Sequence, residues 1–191
     1  RYVPAPLSIF KGIRKLEPAT LMVWEKGNHR FHKYWEPSVL ELQKYTPQVR
    51  EDFRNLITDA VGLRMQSDVP LGLYLSGGID SAVIGGVMQQ LKTETLVSYT
   101  LGFDYDYDER PRALKIADFL GAESNCISVT ESDFDLWPEL VYHMDEPMGD
   151  LISLPSFLLA KKAKEKLTVI LTGDGADEIF NGYFHQKLMI L

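Results

Sequence analysis

From Leu71 to Thr172 the chain alternates short apolar runs with longer amphipathic ones, and this alternation constrains the fold more than any other feature. Residues 71–75, 96–103, 125–129 and 167–172 are rich in aliphatic, aromatic and β-branched side chains and read as strands. Residues 82–92, 109–120, 132–144 and 153–166 lie between or beside them and repeat apolar positions at helical spacing. Gly121 follows the second of these stretches as a C-terminal stop. Strands joined by helices need crossover connections, which make them parallel. The expected fold is therefore α/β: a doubly wound, mostly parallel sheet with helices on both faces. Sheets of this kind bind ligands beyond the carboxyl ends of their strands.

The upstream residues have a different character. Residues 20–25 and 30–35 are strand-like and flank Lys26-Gly27-Asn28, a hairpin signal, and Glu36-Pro37 closes the segment. A lone hairpin is marginal in water, so this piece is expected to pack on something else. Residues 46–66 read as a helix with Thr46 as N-cap and Pro47 in its first turn. Val49, Phe53, Leu56, Ile57, Ala60 and Val61 should form its buried face.

Two glycine-rich segments stand where the ligand end of the sheet should be. The first, Ser76-Gly77-Gly78-Ile79-Asp80-Ser81, joins the strand at 71–75 to a helix. Its glycines permit backbone angles that cost a residue with a Cβ and let the main chain approach an anion. The helix after it aims free N–H groups and a positive dipole end at the same place. Ser76 and Ser81 add hydroxyl donors, and Gly85-Gly86 should let the helix pack closely on the sheet. The spacing and lysine of a Walker A loop are absent. Asp80 beside a phosphate nest implies an intervening cation, for which Mg²⁺ suits the oxygen donors. The second segment, Gly173-Asp174-Gly175-Ala176-Asp177-Glu178, follows the strand at 167–172 and places three carboxylates within five residues. Such a cluster needs a cation or a positive substrate group to be held together.

A formal charge of −7 with no Lys/Arg stripe excludes a general nucleic-acid or membrane-surface binder. It does not exclude nucleotide, because a local nest of N–H groups holds phosphate whatever the global sign. No stretch approaches the ~20 apolar residues of a membrane span, and the first residues given show no signal-peptide pattern. The single cysteine, Cys126, rules out an intrachain disulfide and fits a cytoplasmic location. It lies in a strand-like run and is expected to be an inert core thiol rather than a reactive one. The chain opens on Arg1 and closes inside the apolar run ending at Leu191, so a piece of a longer protein is expected.

The first motif resembles the PP-loop of ATP pyrophosphatases. With the strand Ser98-Tyr-Thr-Leu-Gly-Phe103 and the segment from Gly173 to Tyr183, it resembles the synthetase domain of glutamine-dependent asparagine synthetases. Tyr2-Val-Pro-Ala-Pro6, Phe10-Lys-Gly-Ile-Arg-Lys15 and Tyr34-Trp-Glu-Pro37 are similar to that family's link out of its glutaminase domain. The resemblance implies that residues 1–37 are the glutaminase tail and linker, and 38–191 the ATP-binding part of the synthetase domain.

It further implies an ATP-dependent amide ligase. ATP adenylates the side-chain carboxylate of aspartate and releases pyrophosphate; ammonia then attacks to give asparagine and AMP. By the same resemblance, Ser76, Gly77, Gly78, Asp80 and Ser81 cradle pyrophosphate. Leu75 and Leu101 flank the adenosine, Thr172 and Gly173 complete the ATP site, and Asp80 and Asp177 hold Mg²⁺. Asp174, with Asp80 and Asp177, forms the catalytic set; Asp174 supports the acyl-adenylate and handles ammonia's proton. A homodimer is a further expectation of the resemblance.

Several positions depart from the family pattern. Ala82, Thr172 and Ala176 stand where serine is common, Asn181 where glycine is, and Asp174 where the acid is usually Glu. Residues 149–155 replace an arginine-containing stretch associated with aspartate, and the family's downstream lysine has no counterpart up to Leu191. A related amidotransferase or lactam synthetase acting on another carboxylate is thus an alternative, as is a piece that binds ATP without catalysis. The family's glutaminase uses an N-terminal cysteine, and the only cysteine here is Cys126, so the resemblance implies that ammonia is supplied by a glutaminase domain outside these residues.

Other features invite weaker readings. Asp104-Tyr-Asp-Tyr-Asp-Glu109 is expected to be a solvated acidic loop, since it lacks calcium-hand spacing. His143 should be a helix-surface or core residue, and His29, His32 and His185 lack metal-ligand spacing. Trp24, Trp35 and Trp137 are expected to be packing residues.

Overall fold

The computed structural model describes residues 3–37, 44–92, 94–103, 108–180 and 182–183. Four parallel strands form its main sheet in the order β5-β4-β3-β6: β3 (Leu71–Tyr74), β4 (Val97–Gly102), β5 (Glu123–Ser128) and β6 (Val169–Leu171). β3 pairs with β4 through Leu73↔Ser98 and with β6 through Leu71↔Val169 to Leu73↔Leu171. β4 pairs with β5 from Val97↔Glu123 to Gly102↔Ser128. The connections are α2 (Ile79–Leu91), α3 (Arg110–Leu120) and, from β5 to β6, a 3₁₀ turn (Glu131–Leu136) with α4 (Trp137–Met144) and α5 (Ser153–Ala163).

Strand alternation explains why both faces are covered. Leu71, Leu73 and Leu75 join Val61, Met88, Ala113 and Ala117 in one buried cluster beneath α1 (Pro47–Arg64), α2 and α3. Tyr99 and the half-buried Tyr74 and Leu101 point the other way, into a second cluster with Leu159, Ala163 and Leu167 of the α5 region. A sheet apolar on both faces has to be sandwiched between helices. Gly72 shows how tight that sandwich is. A Cβ there would lie 2.3 Å from Leu167 Cδ1 and 2.7 Å from the Val97 carbonyl oxygen.

Local signals set several boundaries. The Thr46 hydroxyl accepts from Val49 N at 3.2 Å and caps α1, as its sequence predicts. Gly121 ends α3 in the left-handed region at φ 63°. Upstream, β1 (Thr20–Glu25) and β2 (Asn28–Lys33) form a separate antiparallel hairpin. Lys26 and Gly27, at φ 50° and 83°, make its two-residue turn. Lys15 Nζ donates to the Val3 carbonyl at 2.8 Å and pairs with Glu146, tying the N-terminal segment to the loop after α4.

Some expectations fail, for identifiable reasons. The helix expected at 132–144 is split, because Pro138 opens α4 and the preceding turn is closed by a Thr130–Asp133 capping box. On α1 only Val61 is buried; Phe53 and Leu56 are exposed, so just the end of the helix nearest β3 meets the core. Cys126 lies in a strand as expected but is exposed, because β5 is an edge strand of the described sheet. Trp24 and Trp35 are 68% and 62% exposed rather than packed inside. Trp137 stacks on Phe134 with ring centroids 6.3 Å apart. Gly85 does permit close packing on the sheet, whereas Gly86 faces open space. No helix among the described residues is long and apolar enough to cross a membrane.

Candidate functional site

The first motif folds as a braced turn leading directly into α2. Gly77 sits at φ +79°, and a Cβ there would lie 3.0 Å from Arg112 Cβ and 3.1 Å from Ala113 N. Glycine is required there twice over, by backbone angle and by the nearness of α3. Gly78 is the N-cap of α2 at an ordinary φ of −81°, so only one of the two glycines uses glycine's conformational freedom. The serines brace the turn. Ser76 N donates to Ser81 Oγ at 3.2 Å, the two hydroxyl oxygens are 3.1 Å apart, and Gly78 N donates to Ser76 Oγ at 3.3 Å. Thr100 fixes the strand end behind the turn by donating to the Leu75 carbonyl at 2.9 Å.

Helix α2 begins at Ile79, earlier than its periodicity predicts, so Asp80 and Ser81 belong to its first turn. No side chain caps that end, so the first-turn N–H groups have no side-chain acceptor there.

The second motif leaves β6 beside the first. A Cβ on Gly173 would lie 3.0 Å from Ser81 N and 3.1 Å from Asp80 Cβ, so the two motifs are in contact. Gly175, at φ +89°, then turns the chain into the short helix α6 (Ala176–Phe180). Thr172 Oγ1 donates to Asp174 Oδ2 at 2.9 Å and fixes that carboxylate. Tyr183 OH donates to Glu178 Oε1 at 2.8 Å, a bond that raises the phenol above its usual range.

Between the motifs lies a cavity of about 550 Å³ at the carboxyl ends of β3, β4 and β6. Leu75, Ser76, Asp80, Ser81, Leu101, Thr172, Gly173, Asp174 and Asp177 all line it, whereas Gly77, which packs against α3, and Gly78 are not part of its wall. A larger cavity, about 810 Å³, opens at the opposite end of the sheet beside Pro70, Lys92 and Lys166 and contains none of the motif residues. Site chemistry follows the strand ends rather than cavity size.

Sequence reasoning missed part of the wall. Tyr74, Tyr99, Phe103, Glu109, Ile152, Ser156 and Leu159 also line the cavity. Alternation along β3 and β4 places Tyr74, Tyr99 and Leu101 on one face, a signal that was available. Burial, with Tyr99 adding to it, raises the Tyr74 phenol. Nothing in the local pattern singles out Ser156. Of the expected solvated acidic loop, residues 104–107 lie outside the described residues. Asp108 pairs with Arg110 at 2.7 Å, and Glu109 turns into the cavity wall. Withdrawal from water raises the Glu109 carboxyl; Asp108 adds to this and Arg112 opposes it.

Among the described residues no group of three or more His, Cys, Asp or Glu is placed to hold a metal ion. Mg²⁺ bound with a nucleotide needs less: one or two carboxylates, the phosphates and water complete its octahedron. Asp80 and Asp177 share the cavity and offer hard oxygen donors, and the missing Cβ of Gly173 lets the second motif close on Asp80. The residues present therefore fit such an ion. His143 lies outside the cavity, against the rings of Tyr142 and Phe157. His185 lies outside the described residues.

The chain has relatives across nearly its whole length. The asparagine synthase family model matches residues 52–191. The Bacillus subtilis asparagine synthetase (glutamine-hydrolyzing) 1 is 35% identical over 187 residues, which is 96% of this chain and 29% of the relative. A Methanocaldococcus jannaschii protein is 34% identical over 189 residues, 95% of this chain and 36% of its own length. The chain thus spans about a third of the length of these curated relatives. Among solved structures, a glutamine-dependent NAD⁺ synthetase from Acinetobacter baumannii in complex with adenosine diphosphate shares the fold. Its TM-score is 0.51 at 17% identity, over 80% of this chain and 30% of that one. On the match over residues 52–191 and the identity to these relatives, the chain belongs to the asparagine synthase family.

Proposed function

We propose that this chain binds ATP in the cavity between its two glycine-rich motifs and uses it to adenylate a carboxylate for amide formation. The observation that carries the proposal is the contact of Gly173 with Asp80 and Ser81, which makes one site of two motifs 92 positions apart, from Ser81 to Gly173. The braced Ser76–Ser81 turn and the uncapped start of α2 receive the β- and γ-phosphates. Leu75 and Leu101, which line the cavity, would flank the adenosine, and Thr172 and Gly173 would complete the ATP site.

The reaction conserves atoms in two displacements. A substrate carboxylate oxygen attacks the α-phosphorus, the bond from that phosphorus to the bridging oxygen breaks, and pyrophosphate leaves with the electron pair. Ammonia then attacks the acyl carbon, AMP departs, and the nitrogen loses a proton. Asp174, held by Thr172, is the carboxylate assigned to take that proton. Asp80 and Asp177 would hold Mg²⁺, which neutralises charge gathering on the phosphates. The chain's own task is to position reactants and exclude water.

Aspartate is the acceptor suggested by the names of the relatives, and a glutaminase domain, of which residues 1–37 would be the tail, is the proposed source of ammonia. A second reading has a specific observation behind it. Among the described residues no Lys or Arg lines the cavity, and the segment 149–155 contributes the apolar Ile152 to its wall. A carboxylate other than aspartate fits that wall as well. ATP–pyrophosphate exchange with ammonia withheld decides between them. Exchange that depends on aspartate establishes that substrate; exchange only with another carboxylate establishes the second reading; no nucleotide binding at all sinks both.

A further inference from the structure

Helix α6 carries two adjacent acids, Asp177 and Glu178, and both reach the cavity wall. A site that uses one of them has to distinguish it from the other. The chain does so by returning over its own helix immediately afterwards. Gly182 N donates to the Asp177 carbonyl at 3.0 Å. Its Cα then lies so close to the Asp177 side chain that a Cβ would fall 1.7 Å from Oδ1 and 2.7 Å from Cγ. The next residue, Tyr183, donates its hydroxyl to Glu178 Oε1 at 2.8 Å.

We infer that Gly182 and Tyr183 are positioning residues: Gly182 leaves the space that the Asp177 carboxylate occupies, and Tyr183 holds Glu178, so Asp177 is presented to a divalent cation bound with nucleotide. The inference rests on the ATP-binding reading above. Its physical core is the nature of the clash at Gly182. The closest atom a Cβ meets is the far end of a rotatable side chain, so an alanine there rotates the carboxylate away and leaves the fold standing. Glu178 behaves differently, because a carboxylate that already accepts a phenol hydrogen bond gives up part of its capacity for a metal. Groups that orient metal ligands typically contribute about 10–100-fold to metal affinity.

The test is calorimetric titration of Mg²⁺ into the full chain with ATP, and of ATP alone in chelator, for the natural chain, Gly182→Ala, Tyr183→Phe and Asp177→Asn. Gly182→Ala is expected to raise the Mg²⁺ half-saturation on the order of tenfold, with metal-free ATP affinity and melting temperature little changed. Tyr183→Phe is expected to change Mg²⁺ half-saturation by a smaller factor, again without altering metal-free binding. In the Asp177→Asn background, Gly182→Ala should add nothing, because the group it displaces is gone. Natural Mg²⁺ dependence in Gly182→Ala overturns the inference, and so does an undiminished effect in the Asp177→Asn background. If Gly182→Ala fails to fold, Tyr183→Phe decides alone, and unchanged Mg²⁺ half-saturation in it is the overturning result. Absence of any ATP binding by the natural chain removes the functional reading itself, and this inference with it.

Discussion

Asp80 occupies the first turn of α2, where the helix dipole and free N–H groups favour an anion, yet it also faces the cavity that those groups serve. A carboxylate in that place opposes phosphate unless a cation stands between them. Asp80→Ala is therefore expected to lower Mg²⁺-dependent ATP affinity by at least about tenfold, as orienting and liganding groups do. Calorimetry with and without Mg²⁺ separates this from a loss of ATP binding in general. Glu109 makes a different prediction. Its folded carboxyl is raised, chiefly by burial, so the fold disfavours its charged form. The cost is absent below the ordinary glutamate range and develops as pH rises through the raised value. Because the residue is still exposed and Arg112 opposes the shift, Glu109→Gln should raise the melting temperature only slightly near neutral pH and lose that advantage in acid. Equal melting temperatures across the range would contradict it. These two residues also show what a sequence discloses at this scale. Asp80 is legible because it interrupts a phosphate-binding pattern. Glu109 stands in a run of acids, and only the direction of α3 brings it, still exposed, to the cavity wall.

The elements are legible where one residue dictates a boundary: Thr46 opens α1, Gly121 closes α3, and Lys26-Gly27 turns the hairpin. They are less legible where tertiary context decides. The apolar stripe of α1 predicts a buried face, but only Val61 is fully buried, with Ile57 half-buried against the same core. Pro138 divides a continuous helical pattern because its ring fits only a first turn. Gly85 is the clearest case of packing that overrides propensity. In a helix interior alanine is worth about 1 kcal/mol more than glycine. At Gly85, however, a Cβ would lie 2.8 Å from Leu73 Cδ2 and 2.9 Å from Leu120 Cδ1. Leu73 is fully buried and has little room to move. Gly85→Ala should therefore destabilise the fold by about 1–3 kcal/mol, the usual range for overpacking. Gly86→Ala, one position on and facing open space, should be neutral or stabilising. Denaturant unfolding of the pair tests the contrast, and equal effects would show that α2 is free to lift from the sheet.

At the scale of the molecule, strand order does what neither motif does alone. The chain leaves β3 toward β4 on one side and returns as β6 on the other, so β3 lies at the point where the winding reverses. Both motifs follow strands that pair directly, β3 with β6, and the turns beyond them must meet. Alternation in the sequence predicts a parallel sheet but not which strands are neighbours. That pairing is a property of long-range packing, and it converts two separate patterns into one cavity. Gly173 is where the dependence can be measured. A side chain there presses on Ser81 N and Asp80 Cβ, a backbone atom and the root of a side chain, neither of which can swing aside. Gly173→Ala is expected to cost about 1–3 kcal/mol of stability through strain at this contact, and Gly173→Val more. ATP affinity should fall in the same order in chains that remain folded, because each step parts the phosphate turn from the second motif. Calorimetry and thermal melts on both variants check this together. A folded Gly173→Val chain that binds ATP as the natural chain does would mean that the two motifs, though in contact, act as separate sites.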